Sequence, residues 1–310
     1  MGHVLSQDGG NMPNILNKKQ KSIGTQKLIP KLIKNLGSFT FEGGMIYLQS
    51  LLRTSILYGS ETMFNITEKE FRIIESIEES VLQNIFHTKR SCSRHLLYLE
   101  SGILPARYQI HRQMMNFLQY LLLQPINSLL YRVFIAQKIN PTKGDWVSNV
   151  LQLLINYNIN MNLQDIKNMK TSIFKNLVKK KVQQAAFESL ILKKIGGTKG
   201  SKIHYNEGTL QMSHYLLAQS NISVTDKEEI FSYRCEMNDL PFNFGRKTNC
   251  ELGCSIEMNN EHLLNCPILN QHNGKMEYNQ ILNGTNNQKI SILRKLQEND
   301  KRRKLLMDSV

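Results

Sequence analysis

Cysteine is scarce in this chain, acidic residues are outnumbered, and long apolar runs are missing. Five cysteines in 310 residues are too few, and odd in number, for the paired framework of a small secreted domain, which favours a reducing compartment. No apolar run is long enough to cross a bilayer, and the N-terminus lacks the apolar stretch of a secretory leader. The protein is therefore expected not to be secreted and to have no membrane partner. Aspartate and glutamate number 25 against 39 lysines and arginines, a formal net charge of +14. A surplus of this size points to a polyanionic partner, RNA or DNA before any other. No internal repeat is visible. Gly196-Gly197-Thr198-Lys199-Gly200 lacks the spacing and the preceding strand of a phosphate-binding loop and reads as a flexible link.

What is present is a concentration of metal ligands. Cys250, Cys254, His262 and Cys266 form C-x3-C-x7-H-x3-C. Three cysteines and a histidine make a complete tetrahedral set for Zn2+. His262 and Cys266 are four apart, so on a helix they share a face one turn apart. Asn249 and Gly253 supply turn residues around the first pair. All four ligands come from protein, which predicts a closed, structural ion with no position left for a reacting water. His87, Cys92 and His95 also lie close in sequence, but no orienting acid or oxyanion feature accompanies them, so thiol catalysis is not expected.

Hydrophobic spacing predicts a mainly α protein. Apolar residues from Ile15 to Leu36 are broadly helical in spacing, interrupted at Pro30, and Gly37 ends the segment. A second helix is expected over 44–57. The third has the clearest start, with Thr67 and Glu70 as a capping box and Ile66 and Phe71 as a hydrophobic staple. Its apolar stripe is Phe71, Ile74, Ile77, Val81 and Ile85, and Glu68, Glu70, Glu75, Glu78 and Glu79 are expected to face water. A fourth helix begins at Pro105. Pro141 to Asp145 reads as a turn and a domain boundary. Residues 163–195 read as one long helix or two short ones, with Ile166, Met169, Ile173, Leu177 and Val178 as the buried face. His3 to Ser6 looks like the end of a strand whose partner is not evident, so the chain is expected to begin inside a domain.

The positive charge is concentrated. Residues 161–210 hold ten lysines against Asp165, Glu188 and Glu207, a net of +7. Residues 289–304 hold seven basic residues against Glu298 and Asp300, a net of +5. Lys175, Lys179, Lys180, Lys181, Lys193 and Lys194 in the first segment, and Lys301, Arg302, Arg303 and Lys304 in the second, are the candidate phosphate contacts.

Several stretches, in order, resemble the C-terminal part of a non-LTR (LINE-type) retrotransposon reverse transcriptase. Met1-Gly2-His3-Val4-Leu5 resembles the segment closing the palm. Leu57-Tyr58-Gly59-Ser60-Glu61-Thr62 resembles the Leu-Tyr-Gly-x-Glu stretch of the thumb. Leu97-Tyr98-Leu99-Glu100-Ser101-Gly102 with Pro105 resembles the Leu-x-x-Glu-x-Gly-x-x-Pro segment after it. Phe231, Arg234, Met237 and Asn243 lead into the Cys/His cluster, and Pro267 follows its last cysteine. The resemblance implies a palm remnant at 1–12, a helical thumb-like domain at 13–145, a basic helical connector at 146–230, a CCHC zinc module at 231–270 and a basic tail at 271–310. It also implies template RNA and target DNA as partners, and a nuclear or cytoplasmic ribonucleoprotein location. Two departures matter. The family's polymerase centre uses paired aspartates holding two divalent metals, and this sequence contains no adjacent aspartate pair. The family's final ligand spacing is often four residues, against three here. The expectation is a truncated reverse transcriptase without its polymerase centre, and with a palm and fingers portion that would lie upstream. The alternatives are a free-standing zinc and nucleic-acid binding protein, or a helical protein-interaction scaffold.

Overall fold

The computed structural model describes residues 10–36, 40–88, 92–142, 144–196, 202–205, 208–237, 240, 249–270 and 276–308. It is mainly helical, and no β-strand occurs among the described residues. The expected strand end at 3–6, and with it the palm remnant, lies outside them, as does Asn243.

The helices are α1 (Met12–Leu36), α2 (Phe41–Tyr47), α3 (Thr54–Ile56), α4 (Glu68–Ile85), α5 (Arg94–Ser101), α6 (Ala106–Leu122), α7 (Leu129–Ile139), α8 (Trp146–Asn156), α9 (Leu163–Asn168), α10 (Thr171–Ile195), α11 (Val224–Arg234), α12 (Asn260–Asn265), α13 (Asn279–Asn283) and α14 (Asn286–Asp308). A π-helical stretch, Leu48–Arg53, joins α2 to α3. The α1 helix runs through Pro30 without a break. A proline forfeits one backbone hydrogen bond in a helix interior, and neighbours such as α4, on which α1 packs, can offset that loss.

The local start signals are legible in atomic detail. Thr67 accepts from the Glu70 N–H and Glu70 accepts from the Thr67 N–H at 2.8 Å, completing the capping box of α4. Asp145 caps α8 and Asn162 caps α9. The 163–195 segment is two helices, broken at Met169–Lys170.

Helix α6 is the centre of the helical body, packing against α4, α7, α8, α9 and α10. The turn at 141–145 is therefore no break in the core: α8, α9 and α10 lie on the same helix as α4. On α10 the buried stripe is Phe174, Val178, Val182, Ala186 and Leu190, whereas Ile173 is 53% exposed. Ile173 and Phe174 are 100° apart on the helix, and the larger aromatic ring takes the interior.

The glutamates of α4 correct the sequence reading. Of the five expected in water, only Glu68 is exposed; Glu70, Glu75, Glu78 and Glu79 are buried. Each has a partner, as burial of a carboxylate requires. Glu70 sits in the capping box, Arg107 donates to Glu75 at 2.9 Å, and Arg94 pairs with Glu79 at 3.1 Å. Glu78 is wholly enclosed. It accepts from Arg53 at 2.6 Å, from the Tyr98 hydroxyl at 3.0 Å and from the Ala106 N–H at 3.1 Å, so it also caps α6.

The second half is organised around α14, which packs on α11, α12 and α13. A buried ion pair joins it to the helical body. Arg234 of α11 donates to Glu100 of α5 at 2.7 and 3.1 Å, and the Tyr205 and Tyr215 hydroxyls donate to the same carboxylate at 2.6 and 3.0 Å. Burial alone would raise the Glu100 carboxyl; the charge and hydrogen bonds of Arg234, with the Tyr205 and Ser213 hydroxyls, outweigh it and hold the group below its ordinary value. The Phe86 and Phe231 rings stack at 4.5 Å across the same junction.

Two of the sequence motifs have plain conformational causes. Gly59 and Gly102 adopt φ of +66° and +68°, a region that disfavours side chains. A Cβ at Gly102 would also lie 2.2 Å from the Met212 nitrogen.

Candidate metal centre

The first two ligands sit on a tight reversal of the chain. Asn249 and Glu257 form an isolated antiparallel bridge, and the Cys250 N–H donates to the Ile256 carbonyl at 2.7 Å. Gly253, at φ +88°, lets the chain turn back so that its N–H reaches the Cys250 carbonyl at 3.0 Å. The other two ligands sit on α12. Asn259 caps that helix by accepting from the His262 N–H at 2.8 Å, and Cys266 ends it. His262 and Cys266 thus lie one helical turn apart, as their spacing requires.

These two pieces close on one point. The Cys254 Sγ lies 3.2 Å from the Cys250 Sγ, 3.4 Å from the Cys266 Sγ and 3.6 Å from the His262 Nε2. All four donor atoms are within 4.8 Å of one another. The separations are far longer than the roughly 2.05 Å of a disulfide. They approach the edge of a tetrahedron around zinc, about 3.7 Å for Zn–S bonds of about 2.3 Å. The cluster can hold a metal ion, and its donor set is compatible with zinc. Cys250, His262 and Cys266 are buried and Cys254 half-buried.

The electrostatics point the same way. Burial, then hydrogen bonds with Cys250 and Cys266, the first donated by Cys254, push the Cys254 thiol up to about 12. Cys254 therefore holds its proton in the absence of a cation, and a cation among the donors is what makes neighbouring thiolates compatible. Burial lowers the His262 pKa, which keeps the imidazole neutral and its lone pair free to coordinate.

Helix α14 clamps this unit at three points. Arg303 donates to Glu251, next to the first ligand, at 2.7 Å. Asn299 donates to the Leu263 and Leu264 carbonyls of α12 at 2.8 and 3.2 Å. Arg302 donates to the Leu269 carbonyl at 3.0 Å. Sequence reasoning missed Glu251, Asn299 and Arg303 as supports, because nothing local marks partners 33 to 52 positions apart.

The basic residues divide accordingly. Lys175, Lys179, Lys180 and Lys193 are exposed on α10 and Lys181 is half-buried. Lys194 does not belong with them: its side chain is buried and its ammonium donates to the Ile203 carbonyl. Arg303 is likewise buried, between Glu251 and Asp300. Lys304 is exposed but pairs with Asp300 at 2.6 Å, and Lys301 is exposed. The run Lys301-Arg302-Arg303-Lys304 is thus in good part a structural clamp. Its charge is spent on the neighbouring carboxylates and carbonyls. The Cys92 thiol is buried.

No helix among the described residues is long and apolar enough to cross a membrane. Comparison with protein-family models, with curated proteins and with solved structures returns no match for this chain.

Proposed function

We propose that these 310 residues form the nucleic-acid-holding part of a reverse transcriptase of the non-LTR retrotransposon type, without its polymerase centre. A structural zinc ion bound by Cys250, Cys254, His262 and Cys266 fixes the module that α14 carries. The observation that carries this reading is the closure of those four donors into one set, clamped to a basic helix, in a chain of net charge +14. The ordered motifs add support. Glu100 and Arg234, which belong to two different resembling segments 134 positions apart, form one buried ion pair. Segments that co-occur for a shared structural reason would be expected to meet in this way.

The chemistry follows from what is present. No adjacent aspartates stand in the sequence, so these residues alone are not expected to extend a primer. RNA or DNA would be held through phosphates by the exposed lysines of α10, Lys175, Lys179, Lys180 and Lys193, with Lys181 and Lys301 in support. Binding dominated by phosphates has modest sequence preference and falls steeply with salt.

A primer-extension assay with magnesium tests one half of the proposal: incorporation of nucleotides would overturn it. Titration of labelled single-stranded RNA across a salt series tests the other. An affinity indifferent to salt would favour a protein-binding scaffold, for which the exposed Leu129, Val133 and Ile139 of α7 offer an apolar face.

A further inference from the structure

The helical body contains an open cavity of about 730 Å³ where the π-helical stretch, α6 and α10 meet. Resting on the reading above, and naming where its ligand sits, we propose that this cavity seats the sugar-phosphate backbone of a single nucleic-acid strand, with Arg112 and Lys179 as the phosphate contacts.

Three cations line the space: Arg53, Arg112 and Lys179. Arg53 is neutralised, since it donates to Glu78 at 2.6 Å and to the Leu104 carbonyl. The one carboxylate on the wall, Glu61, shares its field with the buried ammonium of Lys18. Arg112 is different. It is half-buried, and no hydrogen-bond or ion-pair partner for it exists among the described residues. Burial, and then the like charge of Arg53, lower its pKa. A half-buried guanidinium without a counter-charge of its own is unfavourable until an anion reaches it, and such groups cluster at binding sites. Lys179 reaches the same space from α10 and has no described partner either. Lys180 and Lys181, rotated by about 100° and 200° on the helix, do not line it.

The rest of the wall suits a strand rather than a small anion. Gln109 and Gln183 offer amides that can both donate and accept, which is what base edges require. Tyr58 is 55% exposed at the rim, a face on which a base can stack. The wall also gathers Leu57, Tyr58, Gly59, Glu61 and Gly102, so two of the resembling segments and the centre of the lysine-rich segment converge here.

The test uses the full chain, labelled oligo(U) and oligo(dT), and a salt series read by fluorescence anisotropy. Arg112→Gln and Lys179→Gln should each reduce the log–log salt slope by about 0.7, and the double variant by about 1.4. Lys138→Gln, a charge-matched change on exposed α7, should not. Thermal melting supplies a second readout. Because Arg112 is an uncompensated charge, Arg112→Gln should leave the midpoint unchanged or raise it while binding weakens. A lowered midpoint would mark a structural residue and overturn the assignment. Equal losses for oligo(U) and oligo(dT) would mark a backbone site, and a loss confined to one would assign the cavity to that strand. Displacement of the oligomer by a mononucleotide at equal concentration would make it a small-anion site and overturn the proposal. Parent binding that is steep in salt, with both variants behaving like Lys138→Gln, would remove the cavity but leave the proposed function standing. A parent that binds neither oligomer would overturn both.

Discussion

The helical body and the Cys/His unit are held together by different physics. In the body, α6 is wrapped by helices whose interiors are mostly apolar, and the carboxylates buried there and at the junction pair with arginines: Glu78 with Arg53, Glu75 with Arg107, Glu100 with Arg234. In the unit at 249–270, an isolated bridge and a six-residue helix bury Leu263, Leu264 and Met258. They surround four donor atoms rather than an ion pair. A segment this small cannot offset its chain entropy by apolar burial alone. The comparison teaches that one chain can use arginine as the internal counter-charge where helices are long, and gather donors able to hold a metal ion where they are short.

The largest expected effect lies in the small unit. Structural zinc sites contribute about 10–16 kcal/mol of apparent binding energy to their modules. Chelation, or Cys250→Ser, should therefore unfold residues 249–270 and free α14 from them, while the body keeps its helical circular dichroism and its melting transition. A variant that lost the body as well would show that the two regions are not separable.

Next in size is the junction. Glu100→Gln leaves the Arg234 guanidinium buried without a counter-charge, which should cost about 3–5 kcal/mol. The loss should appear in chemical denaturation as a lower midpoint with an unchanged slope. A cost under 1 kcal/mol would mean that water reaches the pair.

A smaller effect is set by pH. His111 lies edge-on to Phe71 at 5.4 Å, and its Nδ1 is 2.7 Å from the Tyr157 hydroxyl. Burial, then the Arg107 charge, lower its pKa from 6.5 to about 4. Its folded value is depressed, so below 6.5 the unfolded chain takes up a proton that the folded chain refuses. Stability is full above pH 6.5 and falls as the pH drops towards about 4, by up to about 3 kcal/mol. His111→Gln should flatten that part of the pH–stability curve. The smallest effect is Arg303→Ala, expected to loosen the clamp by about 1–2 kcal/mol. It should be visible as faster amide exchange in α12 without a change in the body.

What could be read from the sequence follows the range of the forces. The capping box at Thr67 and Glu70 and the four ligands were legible because each is complete within a short window. The turn glycines were legible for the same reason. The glutamates of α4 were not. Their charges imply water, and the arginines that admit them to the interior lie 15 to 32 positions away. The basic run at 301–304 looked like one surface feature, but helical rotation gives Arg303 to Glu251 and leaves Lys301 exposed. Lys194 likewise looks like its neighbour Lys193 in sequence and differs in having the Ile203 carbonyl and the Tyr205 ring beside it. The core continuing past residue 145 could not be seen either, since a turn signal does not reveal whether the next helix packs on the last.

Native mass spectrometry of the full chain tests the central claim most directly, namely that a metal ion is the interior of the unit at 249–270. The account predicts one zinc ion per parent chain, none in Cys254→Ser, and retention of the ion in a Cys92→Ser chain. A parent without metal, or a Cys254→Ser chain with the parent's zinc content, would contradict it.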